Sequence, residues 1–396
     1  MYFVHPQIKL SKLLKAKLAL MKSPDTEKLV QKLSILFPQK QFIFTDMARG
    51  AFRVIVEKLN LQNSEIILPA YICDIFIPIL KHYNIKPIFL DIDLKTFNIK
   101  IEEIGRKITP RTKAILVSHT YGLPLDVQEI RAATNNRLLI IEDCAHSFGA
   151  TAGMAGDVSF FSLYKQLPTL RGGMLVCPKN WDVALPKTYF NFRDFISFLN
   201  YFWPFAFFFK KFGSEIAPRI PRKEKLSEPA GINRASLSLF ADFFDDVQKS
   251  LTNRQKLARL FQQELKSLGF EVQESKDNVF CYLSALAPQN MIEQRDEIVR
   301  KLRRYRVFCT RIWHTPIILN SDAQEAYQIN LAEFPNTVEA SKRVINFPLQ
   351  NHYTEKDVRK IIAALKKVMA NLIKNQGSGE ARFLITNQGS GEARFL

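Results

Sequence analysis

The first half of the chain alternates short apolar runs with segments of helical spacing. Six runs bounded by turn or charged residues cover 65–70, 86–92, 113–118, 137–143, 158–163 and 172–177. Their length and their lack of apolar–polar alternation predict strands that are buried on both faces. Helix-like segments lie between the earlier runs, for example at 51–62 and 126–136. This order predicts a doubly wound α/β large domain with a mostly parallel sheet.

The pattern changes after residue 187. Residues 188–213 hold ten of the 32 phenylalanines, and a stretch rich in proline and charge follows at 217–231. From residue 237 a long amphipathic helix, short strands and further helices reach Lys374, which predicts a smaller α+β domain. The predicted divisions are a basic helical segment at 1–40, the large domain at 41–187, an aromatic and basic insertion at 188–230, the small domain at 231–374 and a tail at 375–396. The tail repeats the block NQGSGEARFL and is predicted to be disordered.

Composition narrows the class of protein. A chain of 396 residues is long enough for two lobes, and no apolar stretch reaches the ~20 residues that span a bilayer. The basic N-terminus lacks the apolar core of a signal peptide, so we expect a cytoplasmic protein. Five cysteines without a C-x-x-C pair predict neither a disulfide framework nor a metal site. The formal charge of +18 favours the binding of polyanions. The sequence has no recognisable nucleic-acid-binding motif, so we expect no nucleic-acid partner.

Reactive side chains follow two neighbouring predicted strands. Glu142 and Asp143 end one strand, and Ser162 and Lys165 follow the next. Ligands of such sheets bind beyond the carboxyl ends of the strands. A lysine there can form an imine with an aldehyde, a buried carboxylate can pair with a protonated pyridine nitrogen, and a serine can bind phosphate. A turn at 47–51 begins a helix whose backbone N–H groups suit a phosphate, so the pattern predicts a site for pyridoxal 5′-phosphate.

The motifs around these residues resemble a known family. The segments EDCAH at 142–146 and FSLYK at 161–165, followed by Gly172 and Gly173, resemble the DegT/StrS sugar aminotransferases, which are fold type I enzymes. The resemblance extends from about residue 40 to 360. It implies an aminotransferase that moves an amino group from a small-molecule donor such as glutamate to a keto-sugar, typically nucleotide-linked, in surface polysaccharide or amino-sugar biosynthesis. Lys165 would hold the cofactor.

Other positions have two interpretations each. Ala48 and Arg49 stand where the family has its phosphate-binding turn, although Arg49 is also explained as a solvated helix-start residue. His146 would contact the cofactor ring or its phenolic oxygen, or it is a hydrogen-bonded core histidine. Tyr71 would stack on the ring or only pack. Asn233, in GINRAS, resembles a family asparagine that reaches the partner subunit's cofactor phosphate, which implies a homodimer with shared active sites.

Two further questions stay open at this stage. The aromatic residues 188–213, flanked by Lys and Arg, are typical of a segment that contacts a membrane surface, and are equally explained by packing against a dimer partner or over the active-site mouth. The reaction has alternatives as well. A cofactor-dependent sugar dehydratase or eliminase would keep the cofactor, although Lys165 argues against relatives that replace this lysine with histidine. A non-catalytic, membrane-associated scaffold would not need Lys165 and Asp143 together.

Overall fold

A seven-stranded sheet forms the centre of the large lobe. The computed structural model describes residues 1–149, 151–216, 226, 228–273 and 277–387, and of residues 210–216 and 375–387 it describes the backbone only. The strands of the described chain are β1 Tyr2–Phe3, β2 Lys40–Thr45, β3 Glu65–Pro69, β4 Lys86–Leu90, β5 Thr112–Ser118, β6 Leu139–Asp143, β7 Val158–Ser162, β8 Gly173–Pro178, β9 Glu271–Val272, β10 Leu283–Leu286, β11 Val307–Phe308 and β12 Val344–Phe347.

The order of the large sheet is β2–β8–β7–β6–β5–β3–β4. The pairs from β7 through β4 are parallel, whereas β8 runs antiparallel to both of its neighbours. The six apolar runs all form strands of this sheet, which confirms the mostly parallel α/β prediction. The edge strand β2 was missed, because its side chains are mostly half-buried and it precedes the repeating strand–helix pattern.

Helices cover both faces of the sheet and build most of the second lobe. In chain order the helices of the described residues are α1 Leu13–Met21, α2 Thr26–Leu36, α3 Ala48–Lys58, α4 Ile77–His82, α5 Ile104–Lys107, α6 Val127–Ala133, α7 Phe192–Leu199, α8 Trp203–Ile216, α9 Arg234–Lys266, α10 Arg295–Leu302, α11 Ser321–Tyr327, α12 Pro335–Arg343 and α13 Glu355–Asn387. Side chains cap several of these helices: Asp126, for example, accepts the N–H of Gln128 at 2.8 Å at the start of α6.

Helix α9 belongs to both lobes. Its first half packs on the large sheet through Phe240 and Phe244, and its second half enters the core of the small lobe through Leu257 and Phe261. That small lobe contains the antiparallel sheet β12–β10–β9 together with α10 and α13. The two lobes are therefore joined by one continuous helix. The boundary predicted at residue 231 lies just before this helix and stays a prediction.

The N-terminal segment is tied to both lobes. Strand β1 pairs in parallel with β11, next to the small lobe, and Phe3 stacks on Phe308 with ring centroids 4.8 Å apart. Helix α1 then packs along α9, where Lys12 and Lys15 each lie 2.9 Å from a carboxylate oxygen of Asp246. Part of the positive charge of residues 1–40 is thus paired with the acids of α9.

The aromatic insertion forms two helices, α7 and α8. Asn191 and Asp194 make a reciprocal capping box at the start of α7. The hydroxyl of Tyr201, between the helices, donates to the carbonyl of Thr169. The opposite side exposes large rings, namely Phe192, Phe195, Trp203, Phe205 and Phe208. Among the residues that the structure describes, no helix is long and apolar enough to span a membrane.

The two least regular parts of the sequence are only partly described. The proline- and charge-rich stretch at 217–225, expected to mark a lobe boundary, lies outside the described residues. Helix α13 ends at Asn387 rather than at Lys374, so the backbone of residues 375–387 is helical. Residues 388–396 again lie outside the described part, and disorder of that end of the tail stays a prediction.

Candidate active site

Lys165 stands one short turn after the end of β7. The strand ends at Ser162, and residues Leu163–Lys165 form a single 3₁₀ turn. The backbone N–H of Leu163 donates to the carbonyl of Gly172 at 3.0 Å, which holds the turn against the start of β8. Ser162 and Lys165 both line the same cavity. Their short spacing in the sequence is therefore sufficient to bring the two side chains together.

Asp143 ends β6, the neighbouring strand, and faces the same cavity. Its side chain is buried, and one carboxylate oxygen accepts the N–H of Ala145 at 2.9 Å. Burial raises the pKa of Asp143 above its usual value, while the positive charge of Lys165 and the N–H of Ala145 act in the opposite direction. A cationic group in the cavity would favour the ionised carboxylate further. The position suits a partner for a protonated ring nitrogen.

Glu142, one residue earlier, has a structural role instead. Successive side chains of a strand point to opposite faces, and Glu142 does not line the cavity. Its carboxylate lies 2.8 Å from His119 Nε2 and accepts the backbone N–H groups of Gly153, Ala155 and Gly156 at 2.7, 3.0 and 2.5 Å. Burial alone would raise the pKa of Glu142, but the bond to His119 and these N–H groups lower it below its usual value. Glu142 thus fixes the loop that follows β6.

His146 and Lys165 contact each other directly. Lys165 Nζ lies 2.8 Å from His146 Nε2, and His146 Nδ1 accepts the backbone N–H of Tyr121 at 3.3 Å. Burial, together with the charge of Lys165, lowers the pKa of His146 well below its usual value, so the ring is neutral. This contact fixes the position of the lysine amine in the cavity.

The start of α3 forms a second wall of the cavity. Met47 caps this helix with extended backbone and no side-chain hydrogen bond, so the first turn keeps N–H groups for an anion. Gly173 lies against this turn: a Cβ there would stand 2.6 Å from Ala48 N and 2.5 Å from Thr45 Oγ1. Glycine is thus required at 173 for the close approach of helix and strand. A cradle of this kind fits a phosphate group.

These elements enclose a cavity of about 300 Å³. Its lining residues are His5, Met47, Ala48, Arg49, Cys73, Ile75, Phe76, Asp143, Ala145, His146, Phe160, Ser162, Tyr164, Lys165, Tyr282, Ile312 and Trp313. The structure therefore brings together six of the eight predicted site residues. An aldehyde-bearing, phosphorylated pyridine fits this set, because a lysine amine, a buried carboxylate and a helix start converge on one mainly apolar space.

Tyr71 and Asn233 do not line the cavity. Tyr71 is fully buried behind it, where its hydroxyl lies 2.8 Å from that of Tyr121, which corresponds to the packing interpretation. Asn233 caps α9: its Oδ1 accepts the N–H of Ser236 at 2.8 Å, and its Nδ2 donates to Asp194 at 3.0 Å. Both ends of the Asn233 amide are engaged within the same subunit. Its reach to a partner's cofactor stays a prediction.

Several lining residues had no signal in the sequence. His5 arrives from the N-terminal segment and Tyr282 and Trp313 from the small lobe, so only tertiary packing brings them to the cavity. Tyr164 lies inside the FSLYK motif and could have been identified there. Cys73 follows the predicted Tyr71, and burial raises the pKa of its thiol to about 11, so it lines the cavity as a neutral group.

Comparisons with known proteins support these observations. The model of the DegT/DnrJ/EryC1/StrS aminotransferase family matches residues 8–195 and 231–366. The GDP-perosamine synthase of Escherichia coli O157:H7 is 26% identical over 316 residues, which cover 74% of this chain and 80% of that protein. A UDP-N-acetyl-3-dehydro-alpha-D-glucosamine 3-aminotransferase of Acidithiobacillus ferrooxidans is 37% identical over 123 residues, or 29% of this chain and 33% of the relative.

Among solved structures, the putative sugar aminotransferase Spr1654 from Streptococcus pneumoniae superposes with a TM-score of 0.74 at 16% identity. The superposition covers 95% of this chain and 99% of that one, which confirms the predicted fold. The family model covers most of the chain and includes both central motifs. The chain belongs to the DegT/DnrJ/EryC1/StrS aminotransferase family.

Proposed function

We propose that the protein is a pyridoxal-phosphate-dependent aminotransferase that moves an amino group from glutamate to a nucleotide- or carrier-linked keto-sugar. The observation that carries this proposal is the convergence of Lys165, Asp143 and the start of α3 on one cavity. The names of the relatives support a sugar substrate, because they include a GDP-perosamine synthase and a UDP-sugar aminotransferase. A relative named as a spore coat polysaccharide biosynthesis protein supports a role in making surface polysaccharide.

The side chains of this cavity have distinct roles in the proposal. Lys165 would hold the cofactor covalently and would move a proton, and its contact with His146 orients its amine for both roles. Asp143 would pair with a protonated ring nitrogen, and Ser162 with the turn at Ala48 would bind the phosphate. When bound, the cofactor supplies the electron sink that carries the amino group between donor and acceptor.

The geometry bears on two alternatives to transamination. A cofactor-dependent dehydratase or eliminase would use the same cavity, but the contact of Lys165 with His146 favours transamination, because the lysine is present and oriented for proton transfer. A non-catalytic scaffold does not require a buried carboxylate and a lysine amine in one cavity, so the geometry favours an enzyme.

The assembly and its location are part of the proposal. We infer a homodimer, and the exposed apolar side chains of Leu10, Leu14, Leu18 and Met21 on the N-terminal segment are a surface that a second copy would cover. We also infer peripheral contact with the inner face of a membrane through α7 and α8, whose exposed rings stand beside Arg193.

The test of the proposed function begins with the purified protein and added pyridoxal phosphate. We expect a visible absorption band that borohydride bleaches, with the reduced label on Lys165 in peptide mass spectra. Glutamate should then convert the bound cofactor to its amine form. A protein that forms the band but carries the label on another lysine would contradict the role of Lys165, and one that binds no cofactor would refute the proposal.

A further inference from the structure

A second cavity adjoins the candidate active site. Its volume is about 510 Å³, within the range of roughly 300–1,000 Å³ that is usual for ligand sites. His5, Met47 and Tyr164 line both cavities, so the second cavity is a neighbour of the one that contains Lys165.

The outer wall of this second cavity comes from the aromatic insertion. Ser197, Asn200, Tyr201, Ala206 and Phe209 line it. The family model matches residues 8–195 and resumes only at 231, so these five residues lie in the part of the chain that the model does not match. Strands β6 and β7 lie within the matched residues, whereas this wall lies outside them.

The chemistry of the second cavity is mainly apolar with one cation. Leu170, Ala206 and Phe209 contribute apolar surface, and Arg171 lies beside them. Arg171 Nη2 donates to Asp194 at 3.1 Å and to the carbonyl of Tyr189 at 3.0 Å, and the side chain is partly exposed. Guanidinium groups suit phosphate geometry in particular.

We propose that the acceptor sugar reaches this enzyme linked to an isoprenyl chain through a diphosphate. The chain would occupy the second cavity, a phosphate oxygen would meet Arg171, and the sugar would pass Tyr164 toward Lys165. This inference rests on the proposed function and names its substrate class. It also explains why the same helices expose Phe192, Trp203 and Phe208 on their outer side: a lipid-linked substrate is drawn from a membrane surface.

Binding of two soluble probes to the cofactor-loaded protein tests the inference. Farnesyl diphosphate carries a short isoprenyl chain, and uridine diphosphate carries a nucleoside on the same diphosphate. We expect farnesyl diphosphate to bind about tenfold more tightly by calorimetry, because each methylene removed from water strengthens binding. Tighter binding of uridine diphosphate would overturn the inference and favour a nucleotide-linked acceptor.

Substitutions locate the probe. Ser197→Trp fills the cavity and should weaken farnesyl diphosphate binding at least tenfold, whereas Ser34→Trp adds the same side chain on exposed α2 and should not change it. Trp203→Ser removes an exposed ring outside the cavity and should also leave the affinity within about twofold. Equal affinities for the Ser197 and Ser34 variants, or a large loss in Trp203→Ser, would place the probe outside the cavity and overturn the inference.

A conservative substitution separates the phosphate contact from the chain contact. Arg171→Lys keeps the positive charge beside Asp194 but loses the fork of donors. We expect it to weaken farnesyl diphosphate and to leave farnesol unaffected; equal effects on both probes would contradict the phosphate contact. The glutamate half-reaction, measured on the same wild-type preparation, tests the proposed function independently. Normal conversion by glutamate without farnesyl diphosphate binding would refute only the substrate class.

Discussion

The walls of the two neighbouring cavities are held in place in different ways. The ends of β6 and β7 line the first cavity, and helices α7 and α8 line the second. The strand ends are held by backbone pairing, in which Asp143 lies opposite Phe160 and Ser162 opposite Gly173. The helices are held by packing of aromatic side chains, such as Phe198 on Phe202. Backbone pairing fixes a side chain to within one register position, whereas aromatic packing tolerates substitution. We expect the reacting groups to belong to the first region and the proposed selectivity for substrate to the second.

The strand-end region also has its own internal support. Glu142 holds the loop at 153–156 through its carboxylate, and Gly156 would place a Cβ 2.9 Å from that carboxylate. The insertion has comparable support at its start, where Asp194 accepts hydrogen bonds from Asn191, Arg171 and Asn233. Substitutions in the first region should therefore affect turnover or stability, and exposed substitutions in the second should affect liposome binding.

The largest effect is expected for Lys165→Ala. Loss of the amine removes both covalent attachment of the cofactor and proton transfer, so turnover should fall by at least ~10³-fold. Thermal unfolding should change little. The matched control is Lys179→Ala, because Lys179 stands just after β8, on the surface. If the Lys165→Ala variant still turns over within tenfold of the wild type, the strand-end region takes no part in the chemistry.

Asp143→Asn should have the next largest effect. A neutral amide no longer favours a protonated ring nitrogen, so we expect turnover to fall by roughly 10²-fold while the covalent link to Lys165 still forms. Steady-state rates and the absorption band measure the two properties separately. Asp182→Asn, at an exposed position, is the control. Unchanged turnover in Asp143→Asn would show that this carboxylate only ends the strand.

Glu142→Gln should lower stability rather than act on the chemistry. The amide keeps the shape but loses an ionised acceptor, which should cost about 1–3 kcal/mol in the free energy of unfolding at pH 7. The folded pKa of Glu142 is lowered, so its stabilisation is complete above the ordinary value of 4.5 and disappears as pH falls through the folded pKa. Urea unfolding should therefore show a difference between wild type and variant that shrinks below pH 4.5.

Glu325→Gln is the control for this experiment, since Glu325 is exposed on α11. Its free energy of unfolding should match that of the wild type both at pH 7 and below pH 4.5. A Glu142 difference that stays constant with pH would mean that the carboxylate is not ionised in the folded protein.

The two regions also differ in how well the sequence predicts them. Asp143, Ser162 and Lys165 were found because strand ends meet at one edge of a sheet, a rule that needs only local pattern. His5 and Trp313 were not found, because β1 and the small lobe reach the cavity through contacts more than a hundred residues apart in the chain. Tyr71 was predicted from its resemblance to the family, but its side chain packs behind the cavity and does not line it. The inner and outer sides of α8 could not be separated, because residues Phe205 to Phe209 are all apolar.

The smallest expected effect concerns the exposed side of the insertion. Phe202 and Phe207 pack inward against the protein, so the rings available to a membrane are others, namely Phe192, Trp203, Phe205 and Phe208. The wild type should sediment with liposomes of phosphatidylglycerol and phosphatidylethanolamine. Salt should weaken this without abolishing it, because only the electrostatic part is screened. Replacing the four exposed rings with serine should leave the protein in the supernatant.

The N-terminal segment offers a matched control of equal size. It exposes several large apolar side chains, and several of its lysines are paired with acids of α9. Replacing Leu10, Leu14, Leu18 and Met21 with serine removes comparable apolar surface and should leave liposome binding intact while weakening the dimer. If this variant loses liposome binding and the α7–α8 variant keeps it, the membrane contact belongs to α1. If the α7–α8 variant instead loses its dimer or its cofactor, the insertion is a packing element. Rings that only contact a membrane could be removed without disturbing an active site on the inner side of those helices.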